Sequence, residues 1–121
     1  MSSDFPTNIL DLQVAEHGPD TRIVIVTGEV DALTAPNLAA YLARQLAASQ
    51  VVVVNLDAVR LLASAGLRAL FEAHELATQQ DRELRLVCNS PAANLALEIT
   101  GLREHFIFAD SVPEALGIEH H

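Results

Sequence analysis

A chain of 121 residues, half of them hydrophobic, is the size of one domain and can bury a core without disulfides or a structural metal. Its 16 Asp and Glu oppose 7 Arg and no Lys, a formal net charge of −9; this argues against a basic nucleic-acid face and against attraction to an anionic membrane. No apolar run approaches the roughly 20 residues of a membrane helix, no signal-peptide pattern opens the chain, and a single cysteine, Cys88, excludes an internal disulfide and fits a reducing compartment. Aromatic residues are 4% of the chain, so the core must be built from Leu, Val, Ile and Ala. These features predict a soluble, cytoplasmic α/β protein that binds no nucleic acid, membrane, metal or cofactor.

Ile9 to Ala15 alternates, with Leu10, Leu12 and Val14 set against Asp11 and Gln13, the pattern of a strand with one wet face. His17-Gly18-Pro19-Asp20 is a turn by composition. Ile23 to Val26 is a continuous β-branched run, expected of a strand buried on both sides and paired with the first as a hairpin. Gly28 to Leu33 reads as a polar loop carrying Glu29 and Asp31. Thr34 then caps a helix that tolerates Pro36 in its first turn, and Leu38, Tyr41, Leu42 and Leu46 recur at helical spacing to about Ser49.

Val51 to Val54 is the clearest strand, ending at Asn55-Leu56. After a connection from Asp57 to Ala63, Leu67, Leu70, Phe71 and His74 mark a second helix with Glu72, Glu75 and Gln79 on its wet side. Leu84 to Cys88 alternates as a strand. Ser90-Pro91 opens a third helix as cap and first helical residue, and Gly101 closes it. Phe106 to Phe108 reads as a short last strand and Ser111 to Leu116 as a final helical turn or two. There is no repeat, low-complexity segment or domain linker, so the core is expected over about 9–116 with short tails. His120 and His121 are either native or the remnant of a purification tag and are set aside.

The order β β α β α β α β α predicts an antiparallel first strand, parallel pairing afterwards with right-handed crossovers, and a mixed, mostly parallel sheet of about five strands. About four helices should cover chiefly one face, with the Val51 strand inside the sheet. Loops leaving the C-terminal ends of parallel strands share one edge, where α/β proteins carry their sites. That edge would gather Gly28 to Thr34, Asp57 to Gly66 and Asn89 to Pro91.

On that edge, Ser64 lies at the start of the second helix, flanked by Ala63 and Ala65, with Gly66 next in the chain. Its ordinary role is an N-cap; the same position also suits a phosphate, because a helix N-terminus offers free N–H groups and a positive dipole end. Glu29 and Asp31 are either a solvated turn or a hydrogen-bonding rim for a partner. As a general acid/base pair they lack a nearby nucleophile, His or metal, so an enzyme is not expected. Cys88 reads as inert packing and His74 as a core-edge histidine. His17 and His105 suggest no site, and no Walker loop, dinucleotide fingerprint or zinc spacing is present.

Thr27-Gly28-Glu29-Val30-Asp31 before a helix, and Val53-Val54-Asn55-Leu56 leading to Ala63-Ser64-Ala65-Gly66-Leu67, resemble the two signature segments of the STAS domain. Within that group the chain is similar, from about Ile9 to Leu116, to the stand-alone bacterial anti-sigma factor antagonists. The resemblance implies a partner-switching role. The antagonist binds an anti-sigma factor that is also a serine kinase and so frees a sigma factor; phosphorylation of a Ser in the second segment ends binding, and a serine phosphatase resets it. The family's usual motif, Asp-Ser-Ser/Thr-Gly, puts that acceptor on Ser64, with Ala63 and Ala65 as departures. The partner-binding residues implied are Glu29, Asp31, Ala63, Ser64, Ala65, Gly66, Leu67 and Arg68. The alternative is a phosphorylation-independent STAS module, either a nucleotide or small-ligand sensor or an accessory subunit of a transport complex.

Overall fold

The alternating and β-branched runs form the sheet expected of them. A computed structural model describes residues 10–117; the expected strand start at Ile9 and both tails, with His120 and His121, lie outside these residues. In chain order the elements are β1 (Leu10–His17), β2 (Thr21–Val30), α1 (Ala35–Ala48), β3 (Val51–Leu62), α2 (Ser64–Gln79), β4 (Glu83–Val87), α3 (Pro91–Thr100), a 3-10 turn (Leu102–His105), β5 (Ile107–Ala109) and α4 (Val112–Leu116). The strands pair in sequence order, β1-β2-β3-β4-β5. β1 is antiparallel to β2, and every later pair is parallel. β3, the most continuously β-branched segment, takes the centre as expected.

The monotone strand order explains the layering. Each crossover from β2 onward steps one strand further in the same direction, so right-handed crossovers land on the same face. α1, α2 and α3 accordingly share one core with Val24, Val26, Val52, Val54, Leu56, Leu84 and Leu86. Only α4 turns back onto the other face, over Val51, Val53 and Val87.

That second layer changes the reading of β4. Arg85, the charged residue of this strand's alternating run, is only 3% exposed. Its guanidinium donates to the Ala115 carbonyl at 2.7 Å and to Glu83 at 3.0 Å, so a buried charge is paired and hydrogen-bonded as burial requires.

Several boundaries also differ from expectation; β4 runs Glu83–Val87 and leaves Cys88 just past its end. β1 continues through His17, leaving the turn to residues 18–20. β2 extends to Val30 and β3 to Leu62, so the expected polar loop at Gly28–Val30 and most of the connection from Asp57 are strand. Their ladder is broken by register shifts at Ile25/Thr27 and Gly28/Glu29, which scrambles the period-two signal. Gly28 sits at this irregularity with φ 109°, a conformation that favours glycine. The 3-10 turn has no counterpart among the expected elements, and Phe106 ends it rather than opening β5.

Candidate functional site

The extended β2 and β3 carry the two signature segments side by side. Val30 pairs with Leu62, and the Ala63 N–H donates to the Val30 carbonyl at 2.9 Å. Gly66, in the first turn of α2, closes the junction: a Cβ there would stand 2.6 Å from Val30 Cγ1 and 2.7 Å from Leu62 Cδ1. The glycine is thus required by close packing of α2 onto the strand ends. The third loop joins the same edge through Asn89, whose N–H donates to Asp57 at 2.7 Å, and through Ser90, whose hydroxyl donates to the Val59 carbonyl at 2.6 Å.

Asp31 organises the loop between β2 and α1. Its carboxylate accepts from the N–H groups of Leu33 at 3.0 Å and Thr34 at 3.1 Å. The Thr34 hydroxyl accepts from the Asp31 N–H at 2.9 Å and donates to the Glu29 carbonyl at 3.0 Å, with the Asp31 carboxylate 3.1 Å away. These bonds, the Thr34 N–H foremost, hold the Asp31 carboxyl below its ordinary range. Thr34 does stand at the cap position of α1, but its side chain makes no capping bond to the helix; its hydroxyl is spent inside the loop. Asp31 therefore faces its own loop, while Leu33 at the tip is 83% exposed. Glu29, read as a loop residue, is a half-buried strand residue opposite Leu61.

Ser64 is not the cap of α2. Ala63 holds that position, with extended backbone and no side-chain cap bond, and Ser64 is the first helical residue, exposed to solvent. Of the N–H groups at this end, those of Ala63 and Gly66 donate to the Val30 and Ala63 carbonyls, while those of Ser64 and Ala65 have no intrahelical acceptor. The hydroxyl thus sits beside these two donors and at the positive end of the helix dipole.

Two shallow grooves flank it. One, of about 290 Å³, separates α1 from α2 and is lined by Ala32, Ala35, Pro36, Ala65, Arg68 and Glu72 among others. The other, of about 450 Å³, lies between α2 and the end of α3 and is lined by Ser64, Leu67, Arg68, Phe71, Thr100 and Leu102 among others. Arg68 borders both. Phe71, Thr100 and Leu102 escaped the sequence reading because Phe71 carries the helical periodicity of a core residue, and the 3-10 turn that brings Leu102 to it leaves no pattern.

Elsewhere the expected roles are modest. Cys88 is 7% exposed, and burial pushes its thiol pKa up, which disfavours the reactive thiolate. His74 is half-buried with its ring edge-on to Phe106, and His105 packs similarly on Phe71. Among the described residues no group of three or more His, Cys, Asp or Glu is placed to hold a metal ion, and no helix is long and apolar enough to cross a membrane.

The chain belongs to the STAS domain family, whose model matches residues 13–115. It is similar to the crystal structure of an anti-sigma factor antagonist from Mycobacterium paratuberculosis, with 29% identity over 88% of this chain and 91% of that one and a TM-score of 0.79. SpoIIAA, an anti-sigma factor antagonist, in its unphosphorylated form shares 17% identity over 91% of this chain and all of its own (100%), with a TM-score of 0.74. The phosphorylated form of the Bacillus cell fate determinant SpoIIAA shares 17% over 88% and 96%, with a TM-score of 0.68. At these identities the two SpoIIAA structures speak to the fold. No curated protein matches.

Proposed function

We propose that this protein is an anti-sigma factor antagonist that binds an anti-sigma factor through the edge formed by Glu29, Asp31 and the segment Ala63 to Arg68, and that phosphorylation of Ser64 switches it off. The observation that carries the proposal is Ser64 itself: an exposed hydroxyl at the first position of α2, against a loop preorganised by Asp31 and Thr34. The 29% identical antagonist supports the same reading. The role is regulatory rather than catalytic. The topology favours a macromolecular partner over a small ligand, because a sheet offers a deep crevice where its strand order reverses, and this order never reverses.

The switch rests on charge. A kinase transfers the γ-phosphoryl group of ATP to Ser64 Oγ, with release of ADP and loss of the hydroxyl proton. The product carries about −1.5 to −2 charges at pH 7. Within its own chain that phosphate meets the free N–H groups of α2, so the fold is undisturbed. A bound partner would have to bury the dianion where a small hydroxyl stood, a penalty of several kcal/mol unless cations meet it. About 1.4 kcal/mol is already tenfold in affinity. A phosphatase restores the hydroxyl by hydrolysis.

The test is incubation with ATP and a candidate anti-sigma factor kinase, then intact mass, peptide mapping and pull-down. The expected result is one phosphate on Ser64 and loss of the partner, with Ser64→Ala retaining the partner under the same conditions. Modification elsewhere, or equal binding by the modified protein, refutes the proposal; a nucleotide titration that saturates without any partner would instead support a ligand sensor.

A further inference from the structure

Five of the seven arginines are engaged within the chain. Arg22 pairs with Glu16 and Arg85 with Glu83. Arg82 donates to Gln50, and Arg103 donates to Asn94 and lies over Phe108. Arg44 lies over Tyr41. Among the described residues, Arg60 and Arg68 have no ion pair, side-chain hydrogen bond or ring contact. Of these two, only Arg68 lines the same groove as Ser64, one helical turn further along α2. An exposed, uncommitted guanidinium is conspicuous on a chain of net charge −9.

Its obvious acidic neighbour is Glu72, one turn further again and a wall of both grooves. That pair runs with the base N-terminal to the acid, the weaker order for residues four apart on a helix. A phosphate on Ser64 would run the other way, acid N-terminal to base, with more charge and three acceptor oxygens for the guanidinium fork. Ala63 and Ala65 place no carboxylate beside Ser64 to oppose it.

Building on the proposed switch, we propose that Arg68 is the internal counter-ion of phosphorylated Ser64, so that modification both adds a dianion and withdraws this guanidinium from the partner face. In the unmodified protein Arg68 stands between the two grooves and contacts an acidic group of the anti-sigma factor. In the phosphorylated protein it folds back along α2 onto the phosphate. Arg68 is thus a positioning residue of the switch, acting through the phosphate.

The experiment uses protein carrying phosphoserine at position 64 by genetic incorporation, so no kinase is required. A 31P NMR titration reads the second phosphate ionisation directly. Its midpoint should lie about 0.5 pH unit higher in Arg68→Gln than in the otherwise wild-type phosphoprotein, because the paired guanidinium favours the dianion. Arg68→Lys should recover part of the shift, and Glu72→Gln should lower the midpoint further by removing the competing carboxylate. Unmodified Arg68→Gln should also bind the anti-sigma factor several-fold more weakly than unmodified wild type. Coincident titrations of wild type and Arg68→Gln overturn the pairing; undiminished binding by unmodified Arg68→Gln overturns the withdrawal. Failure of the kinase to modify Ser64 would refute the proposed function while leaving the titration result standing.

Discussion

Ser64 and Ser90 each come after a strand and stand at the start of a helix, and the chain uses them in opposite ways. Ser90 is the cap of α3, 3% exposed, accepting from the Ala93 N–H at 3.2 Å and donating to the Val59 carbonyl at 2.6 Å. Ser64 is already inside α2, exposed, and makes no cap bond. The difference comes from the next residue in each case. Pro91 is pre-set for the first helical position and forces Ser90 to be the cap. Ser64 has Ala65 in that place instead of a proline, so the helix start is set from behind, by β3 running to Leu62 and leaving Ala63 alone at the cap. One serine is consumed by the fold; the other keeps an exposed hydroxyl that the fold does not use.

The largest effect expected from breaking this arrangement is at Gly66, which seats α2 against β2 and β3. Gly66→Ala inserts a methyl 2.6 and 2.7 Å from Val30 and Leu62, at the upper end of the roughly 1–3 kcal/mol that overpacking costs, so about 2 kcal/mol is lost even after the roughly 1 kcal/mol helical advantage of Ala. Urea denaturation should show the loss with an unchanged m-value. Adding Val30→Ala should yield a protein more stable than the two single effects summed, since the pair competes for one space.

Ser90→Ala comes next, at about 1–2 kcal/mol, because it removes a cap and leaves the Val59 carbonyl without its buried donor. The matching Ser64→Ala should change stability by no more than about 0.5 kcal/mol. Thermal melts of the two variants side by side measure the contrast directly; equal losses would mean that Ser64 is structural after all.

The smallest effect is at Asp31 and appears only in acid. Its carboxyl titrates below the ordinary value of 3.8, so its contribution to loop order is complete above that pH and is lost as pH falls through the lowered folded value. NMR of the Leu33 and Thr34 amides should show both responding to this titration in the wild type and not in Asp31→Asn.

The helix that Ser90 opens was legible in advance, since Pro91 and Gly101 announce both ends of α3, and α3 lies where they put it. The β-branched run at Val51 announces a central strand. By contrast, Asp57 to Leu62 gives no strand signal, because the ladder shifts of β2–β3 break the alternation that a regular strand shows. Alternation from Leu84 to Cys88 announces β4 but cannot reveal that α4 folds back over its other face and buries Arg85. Glu29 and Asp31 were legible as a pair, but not that one is a strand residue and the other a loop clasp.

Local chemistry in the sequence was sufficient for the strands and α-helices as types, the antiparallel first strand, the layer of helices on one face and the edge that carries Ser64. These depend on hydrophobic period, turn residues and crossover handedness, all properties of neighbours along the chain or of successive elements. Tertiary structure alone decided that Ser64 enters the helix uncapped, that Gly66 is needed for its closeness to Val30, and that Arg68 is left unpaired between two grooves. Each of these depends on how far a strand runs before its ladder ends and on which side chains then meet across elements, and neither is written in residue spacing.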